Sequence, residues 1–338
     1  MSLAYRMNAP VAHKTIDAAV AARIAWSRNL SERLEAFYDQ PGMTDQNRLA
    51  RHDPQLAHDH RRFDMLGPVG PLCPSGRLDT FGGDGGDTYR ACGIATLKKP
   101  CLIVSIGSMD KWDFEESIFN GTACHTHTFD CTIASSARPP ARIRSRTSLH
   151  HTCIGATSFQ STGLRFGANG IGSRTVMMPR QFHDWSTLLQ MAQPHGGAIA
   201  AAGAHAGTHA STRTGAAPKL ARVQGRFLPP ALLKMDIEGF EWHVLSAMVA
   251  AHAAAGASGA TQLPEQIALE LHYGTSMQEL PWFGRFKSAG EVALWMDQLW
   301  RLGRYLLVDR RDGICPHCTE LLLMTEGALR RMQSQLRN

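Results

Sequence analysis

Between Leu232 and Trp242 the chain does something few folds accommodate. A short apolar run ends in an acid, passes a second acid and a glycine, and enters a helical pattern. An apolar run without polar alternation is buried on both faces, and such strands belong to parallel sheets covered by helices. Open α/β sheets of this kind bind their ligands at the carboxyl edge of the strands. Asp236 and Glu238 stand at that edge and are expected to divide the work, one facing a cleft and the other tying down the following turn. Gly239 permits a tight turn or a close backbone approach.

The rest of the chain alternates in the same way. Residues 16–37 carry apolar side chains at helical spacing. Residues 101–106, 124–129, 150–154, 232–236, 266–272, 305–308 and 320–324 read as strands, with a further extended segment at 175–178. Residues 114–119, 182–191 and 289–302 read as helices. This alternation favours a parallel α/β sheet over an all-β or all-helical fold. The last two strands are joined by a short turn through Asp312-Gly313, which predicts an antiparallel pair. Residues 41–93, rich in Pro, Gly, Asp and His, read as irregular. Residues 193–220, dominated by Ala, Gly, His and Thr, read as a flexible insertion, and 247–260 as a helix that ends in a loop.

A hydrophobic content of 43% against 19% charged residues is that of a globular protein. Arg138, Arg142, Arg144 and Arg146 form one basic cluster, but no aromatic residue interleaves it, so it reads as a solvated loop and not as a nucleic-acid surface. No apolar run reaches the ~20 residues of a membrane span. The chain therefore reads as soluble, cytoplasmic by default, with a secretory lumen open should an anchor precede it. Cys101, Cys124 and Cys153 lie in or beside strand-like runs, where a free cysteine acts as a small core residue. Cys73 and Cys92 can pair in an oxidising compartment. Cys315-Pro316-His317-Cys318 is a lone C-x-x-C, open between a structural zinc site, a disulfide or redox pair and an inert turn. Asn29-Leu30-Ser31 and Asn120-Gly121-Thr122 match the glycosylation sequon.

Lys234-Met235-Asp236-Ile237-Glu238-Gly239-Phe240-Glu241 resembles the K-[IM]-D-[IV]-E-G-x-E signature of FkbM-like S-adenosylmethionine-dependent methyltransferases. Val104-Ser105-Ile106-Gly107-Ser108, followed by Trp112-Asp113-Phe114-Glu115-Glu116, resembles the first strand and loop of a related methyltransferase-like group. Gly82-Gly83-Asp84-Gly85-Gly86-Asp87 with Cys92 resembles the G-D-G-G-K-x-x-C element ahead of that strand. The resemblance implies a Rossmann-like class I methyltransferase sheet over 73–328, mostly parallel with an antiparallel final strand and helices on both faces. Residues 1–72 then form an N-terminal helix and irregular extension, and 329–338 a tail. The implied activity is S-adenosylmethionine-dependent methylation of a hydroxyl on a small molecule or glycan. A catalytically silent scaffold on the same sheet is the alternative.

On this resemblance Asp84, Gly85 and Gly86 form an acidic loop that closes over the cofactor, while Ile106, Gly107 and Ser108 bring backbone up to it. Glu115, in the first turn of the next helix, orients that loop. Asp130 follows the next strand, where an acid can accept the ribose hydroxyls. Methyl transfer needs in-line alignment and removal of a hydroxyl proton. Asp236, Glu238 and His272 stand at strand ends for that task, with His272 the natural general base because imidazole titrates near neutral pH. Asp236 with His272 or Glu270 also offers an oxygen-rich setting for a divalent ion, but no dedicated metal motif is present and no metal is assigned. Two departures stand out: Ser105 occupies the position where an acid often begins the motif, and of the G-x-G that usually follows only Gly107 remains. The lack of any G-x-G-x-x-G after Val104 argues against a dinucleotide-binding oxidoreductase.

Overall fold

The computed structural model describes residues 13–39, 60–83, 88–97, 101–166, 176–193, 229–256, 262–272, 287–312 and 318–337. Its strands are β1 (Leu78–Gly82), β2 (Thr88–Cys92), β3 (Leu102–Ile106), β4 (His125–Phe129), β5 (Thr147–His150), β6 (Cys153–Ile154), β7 (Phe159–Phe166), β8 (Val176–His183), β9 (Leu232–Met235), β10 (Gln266–His272), β11 (Tyr305–Asp312) and β12 (Cys318–Thr325). Its α-helices are α1 (Ile16–Arg28), α2 (Leu30–Tyr38), α3 (Asp113–Gly121), α4 (Trp185–Ala192), α5 (Glu241–Ala255), α6 (Ala289–Gly303) and α7 (Glu326–Arg337).

Seven strands make one sheet in the order β11-β12-β10-β9-β3-β4-β5. The pairs β10·β9, β9·β3, β3·β4 and β4·β5 are parallel. Strand β12 runs antiparallel to both β10 and β11, so the expected reversed strand is present. Every residue of β3 and β9 is buried, which is why those runs lack polar alternation. One face packs against α4, α5, α6 and residues around Phe63 and Leu66. The other is covered by α1, α3, α7 and the β1–β2 hairpin. Among the described residues no helix is long and apolar enough to cross a membrane.

Several expectations are corrected. The helix expected over 16–37 is two helices, because Asn29 leaves helical geometry (φ −103°, ψ 25°) and caps the first while opening the second. The strand expected over 150–154 is β5 and β6, separated at His151 and Thr152 and placed in different sheets. Phe182 and His183 belong to β8, and the helix after them starts only where Asp184 accepts a hydrogen bond from Thr187 N at 2.9 Å. Residues read as irregular within 41–93 include the β1–β2 hairpin. The region read as a tail is helical through Arg337. Most of the 193–220 insertion lies outside the described residues.

Cysteine chemistry differs most. Cys101 is bonded to Cys124 and Cys131 to Cys153, so these side chains are not free core thiols. Sequence spacing hid this, because a crossover returns the start of β4 to the start of β3. Cys73 and Cys92 do pair, tying the segment before the hairpin to its second strand. Cys318 is also disulfide-bonded, which removes the zinc and inert-turn readings of its motif.

Candidate active site

The chain runs from β3 through β4 to β5 in one direction along the sheet, then returns to β9 on the other side of β3. The crevice between the carboxyl ends of β3 and β9 is therefore the topological switch point, where open α/β sheets take their ligands. Gly107 and Asp236 end those two strands. Gly107 has φ +81°, and a Cβ there would lie 1.8 Å from the carbonyl oxygen of Asp236. Only glycine lets the two strand ends come this close. The Lys234 ammonium, buried beneath them, donates to the carbonyl of Gly107 and lies 4.9 Å from the centre of the Tyr89 ring.

The loop after β3 is held by Asp130. Its Oδ2 accepts from Ser108 N at 2.8 Å, Ser108 Oγ at 3.1 Å and Met109 N at 2.7 Å. Its Oδ1 accepts from Thr132 N at 2.8 Å and Thr132 Oγ1 at 2.6 Å. Burial would raise this carboxyl, but the hydrogen bonds from Thr132, Met109 and Ser108 outweigh it and hold it below its usual value. Met109 and Asp110 both take positive φ, the strained backbone this anchor sustains. Glu115 is fully buried in the first turn of α3 and accepts from Thr128 Oγ1 at 3.0 Å. Burial pushes its carboxyl up, and the Lys234 charge offsets part of that.

Across the crevice, carboxylates converge on one imidazole. His272 Nδ1 lies 3.2 Å from Glu241 Oε1, while Nε2 lies 3.5 Å from Glu270 and 3.7 Å from Glu238. Burial alone would depress His272; the charge and hydrogen bond of Glu241, with Glu270 and Asp236, overcome this and push it up to about 11. The ring is thus an imidazolium at neutral pH, which conflicts with its expected role as general base. Burial raises the Glu238 carboxyl, with Asp236, Glu241 and Glu270 adding to the rise and His272 opposing it. Glu241 also accepts from Ile237 N and Gly239 N, both at 2.9 Å. Glu241 therefore ties down the turn, the task expected of Asp236 or Glu238. That leaves Glu238, at φ +56° and 41% side-chain exposure, facing the crevice beside Asp236.

Asp236, Glu238, His272, Gly107, Ser108, Glu115 and Asp130 thus gather around one sheet edge. The side chain of Ile106 does not join them: it is core, and only its carbonyl, accepting from Asp236 N at 3.1 Å, reaches the crevice. Asp84, Gly85 and Gly86 lie outside the described residues. Sequence reasoning gave no role to Tyr89, whose hydroxyl donates to Asp236 Oδ2 at 3.1 Å. It also gave none to Glu241, although that residue closes the quoted signature. Ligand atoms of Asp236, Glu238 and His272 lie within 4.8 Å of one another, a spacing that suits a divalent cation if the ring loses its proton. The same spacing links Glu270, His272 and Cys318, but the Cys318 sulfur is committed to a disulfide.

Strand order, reversed β12 and helices on both faces define a protein with the Rossmann-like class I methyltransferase fold. No family profile and no curated protein sequence matches the chain. Among solved structures it is similar to methyltransferase FkbM from Methylobacillus flagellatus KT, at 13% identity and a TM-score of 0.35, over 89% of this chain and 62% of that one. It is also similar to the fibrillarin pre-rRNA processing protein of Methanococcus jannaschii, at 8% identity and a TM-score of 0.32, over 70% of each chain. The chain spans only 62% of the FkbM chain. At these values the strand order, and not the likeness, carries the fold.

Proposed function

We propose that this protein is an S-adenosylmethionine-dependent methyltransferase that acts on a hydroxyl of a small molecule or glycan. The observation that carries this reading is the Asp236 carboxylate at the switch-point crevice, beside Gly107 and hydrogen-bonded by Tyr89. S-adenosylmethionine, when bound, supplies a methyl group on a positively charged sulfonium. The acidic mouth formed by Asp236 and Glu238 suits that charge. Ile106, Gly107 and Ser108 would offer backbone to the cofactor, and Glu115 supports their loop from below. Asp130 holds the loop in shape through its own hydrogen bonds.

Asp236 takes the proton of the acceptor hydroxyl through Oδ1, since Tyr89 holds Oδ2. Glu238 is the second acidic group at the mouth. His272 acts as a positioning residue: its imidazolium, anchored on Glu241, offsets the charge of the surrounding carboxylates and fixes where Glu238 stands.

Calorimetric titration with S-adenosylmethionine and S-adenosylhomocysteine, with NAD as control, tests the reading. Micromolar binding of the first two alone is expected. A folded protein that binds neither would overturn it. Asp236→Asn should retain cofactor binding and lose roughly 10²–10⁴-fold in methyl transfer, the usual contribution of a positioned base. One observation favours the silent scaffold as second reading: Asp130, where a ribose partner was expected, already accepts hydrogen bonds on both oxygens. We also propose an oxidising compartment in place of the cytoplasmic default, because disulfides persist where thiols are not kept reduced.

A further inference from the structure

We infer that Asn120 carries an N-linked oligosaccharide. Asn120-Gly121-Thr122 lies at the C-terminal end of α3, a sequon that the methyltransferase reading leaves unused. Asn120 is exposed, and its side-chain amide makes no hydrogen bond among the described residues. The disulfides Cys73–Cys92, Cys101–Cys124 and Cys131–Cys153 are an independent signature of the same lumen in which such transfer occurs. One of them closes at Cys124, two residues beyond the sequon.

The surroundings have room for a glycan. An open groove of about 540 Å³ runs between β1 and α3, lined by Asp79, Thr80, Phe81, Ser117, Asn120 and Gly121. The Phe81 ring is buried against the end of α3 and floors this groove, so a glycan at Asn120 would meet the polar side chains of Asp79, Thr80 and Ser117 at its rim. The groove is also remote from the crevice. Helix α3 starts after the Gly107 loop at the carboxyl edge of the sheet and runs back, so its last turn reaches the amino edge, where Cys101 and Cys124 join. A glycan at Asn120 leaves the site mouth clear.

In the transfer, the Asn120 amide nitrogen bonds to the anomeric carbon of an oligosaccharide linked to a lipid pyrophosphate. The bond from that carbon to the phosphate oxygen breaks, the lipid pyrophosphate leaves, and the amide loses one proton. The sequon hydroxyl must be available at that moment. In the folded protein Thr122 Oγ1 donates to Ile118 O at 2.8 Å and accepts from Cys124 N at 3.2 Å. The transfer therefore takes place on the nascent chain, before the last turn of α3 closes.

The full chain, produced through the secretory pathway of a eukaryotic cell, is treated with peptide N-glycosidase in ¹⁸O-water and its peptides are mapped by mass. Conversion of Asn120 to labelled Asp is the expected result, with the glycan mass lost from the intact protein. Thr122→Ser should keep the modification, and Thr122→Ala or Asn120→Gln should abolish it. An unmodified Asn120 peptide from folded, disulfide-bonded protein overturns the inference. That outcome would leave the methyl-transfer reading untouched, because the two rest on opposite edges of the sheet.

Discussion

Glycine at 107 and histidine at 272 are the residues whose replacement separates structure from chemistry. A methyl group on Gly107 would sit 1.8 Å from the Asp236 carbonyl at a backbone angle that disfavours side chains. Gly107→Ala should destabilise the fold by roughly 2–5 kcal/mol, the sum of backbone strain and overpacking, read by denaturant unfolding. His272→Gln removes the cation among Glu238, Glu241 and Glu270, and breaking a buried pair in this way costs roughly 3–5 kcal/mol near neutral pH. The folded-state value of His272 lies above its ordinary 6.5, so its contribution is whole below that pH and fades as pH climbs towards 11. Stability curves of wild type and His272→Gln should converge across that window; a gap that widens with pH would show that the ring is neutral. The role of His272 was not legible in the sequence, because it depends on Glu241, which arrives from the helix after the neighbouring strand.

At the scale of elements, the β1–β2 hairpin is where the molecule departed furthest from its sequence. Strands β9 and β10 announce themselves as mainly apolar runs, since burial on both faces leaves room for few polar side chains, here Lys234, Gln266, Glu270 and His272. The hairpin has Asp79, Thr80, Thr88 and Arg90 and looks like loop. What makes it strand is tertiary: the buried side chain of Gln266 at the start of β10 imitates a neighbouring backbone, accepting from Cys92 N and donating to Cys92 O, both at 2.8 Å. Gln266→Leu leaves that buried backbone pair unsatisfied and should cost roughly 2–5 kcal/mol, measurable as a fall in melting temperature. Tyr89→Phe, by contrast, removes a single hydrogen bond to Asp236. It should change stability by no more than about 1 kcal/mol while lowering methyl transfer, and an unchanged rate would take Tyr89 out of the site.

For the whole molecule, the alternation of strands and helices gave the class of sheet and the position of its carboxyl edge, while the covalent frame, the Cys73–Cys92 pairing apart, stayed hidden. The disulfides Cys73–Cys92, Cys101–Cys124 and Cys131–Cys153 each close a loop of about twenty residues, which in the chain-entropy account is worth about 3 kcal/mol. Reduction should therefore shift the unfolding midpoint strongly downward; a reduced protein that unfolds at the same denaturant concentration would mean the bonds are ornamental. Strand β12 carries a consequence of another kind. Among the described strands of the sheet β11 pairs with β12 alone, and β12 closes the flank of β10 away from β9. A ribosome that has released the chain as far as Asp312 has therefore released a half-sheet with an open border, the template on which strands of other chains add. A premature stop just before Cys318 yields sticky debris instead of a shorter protein.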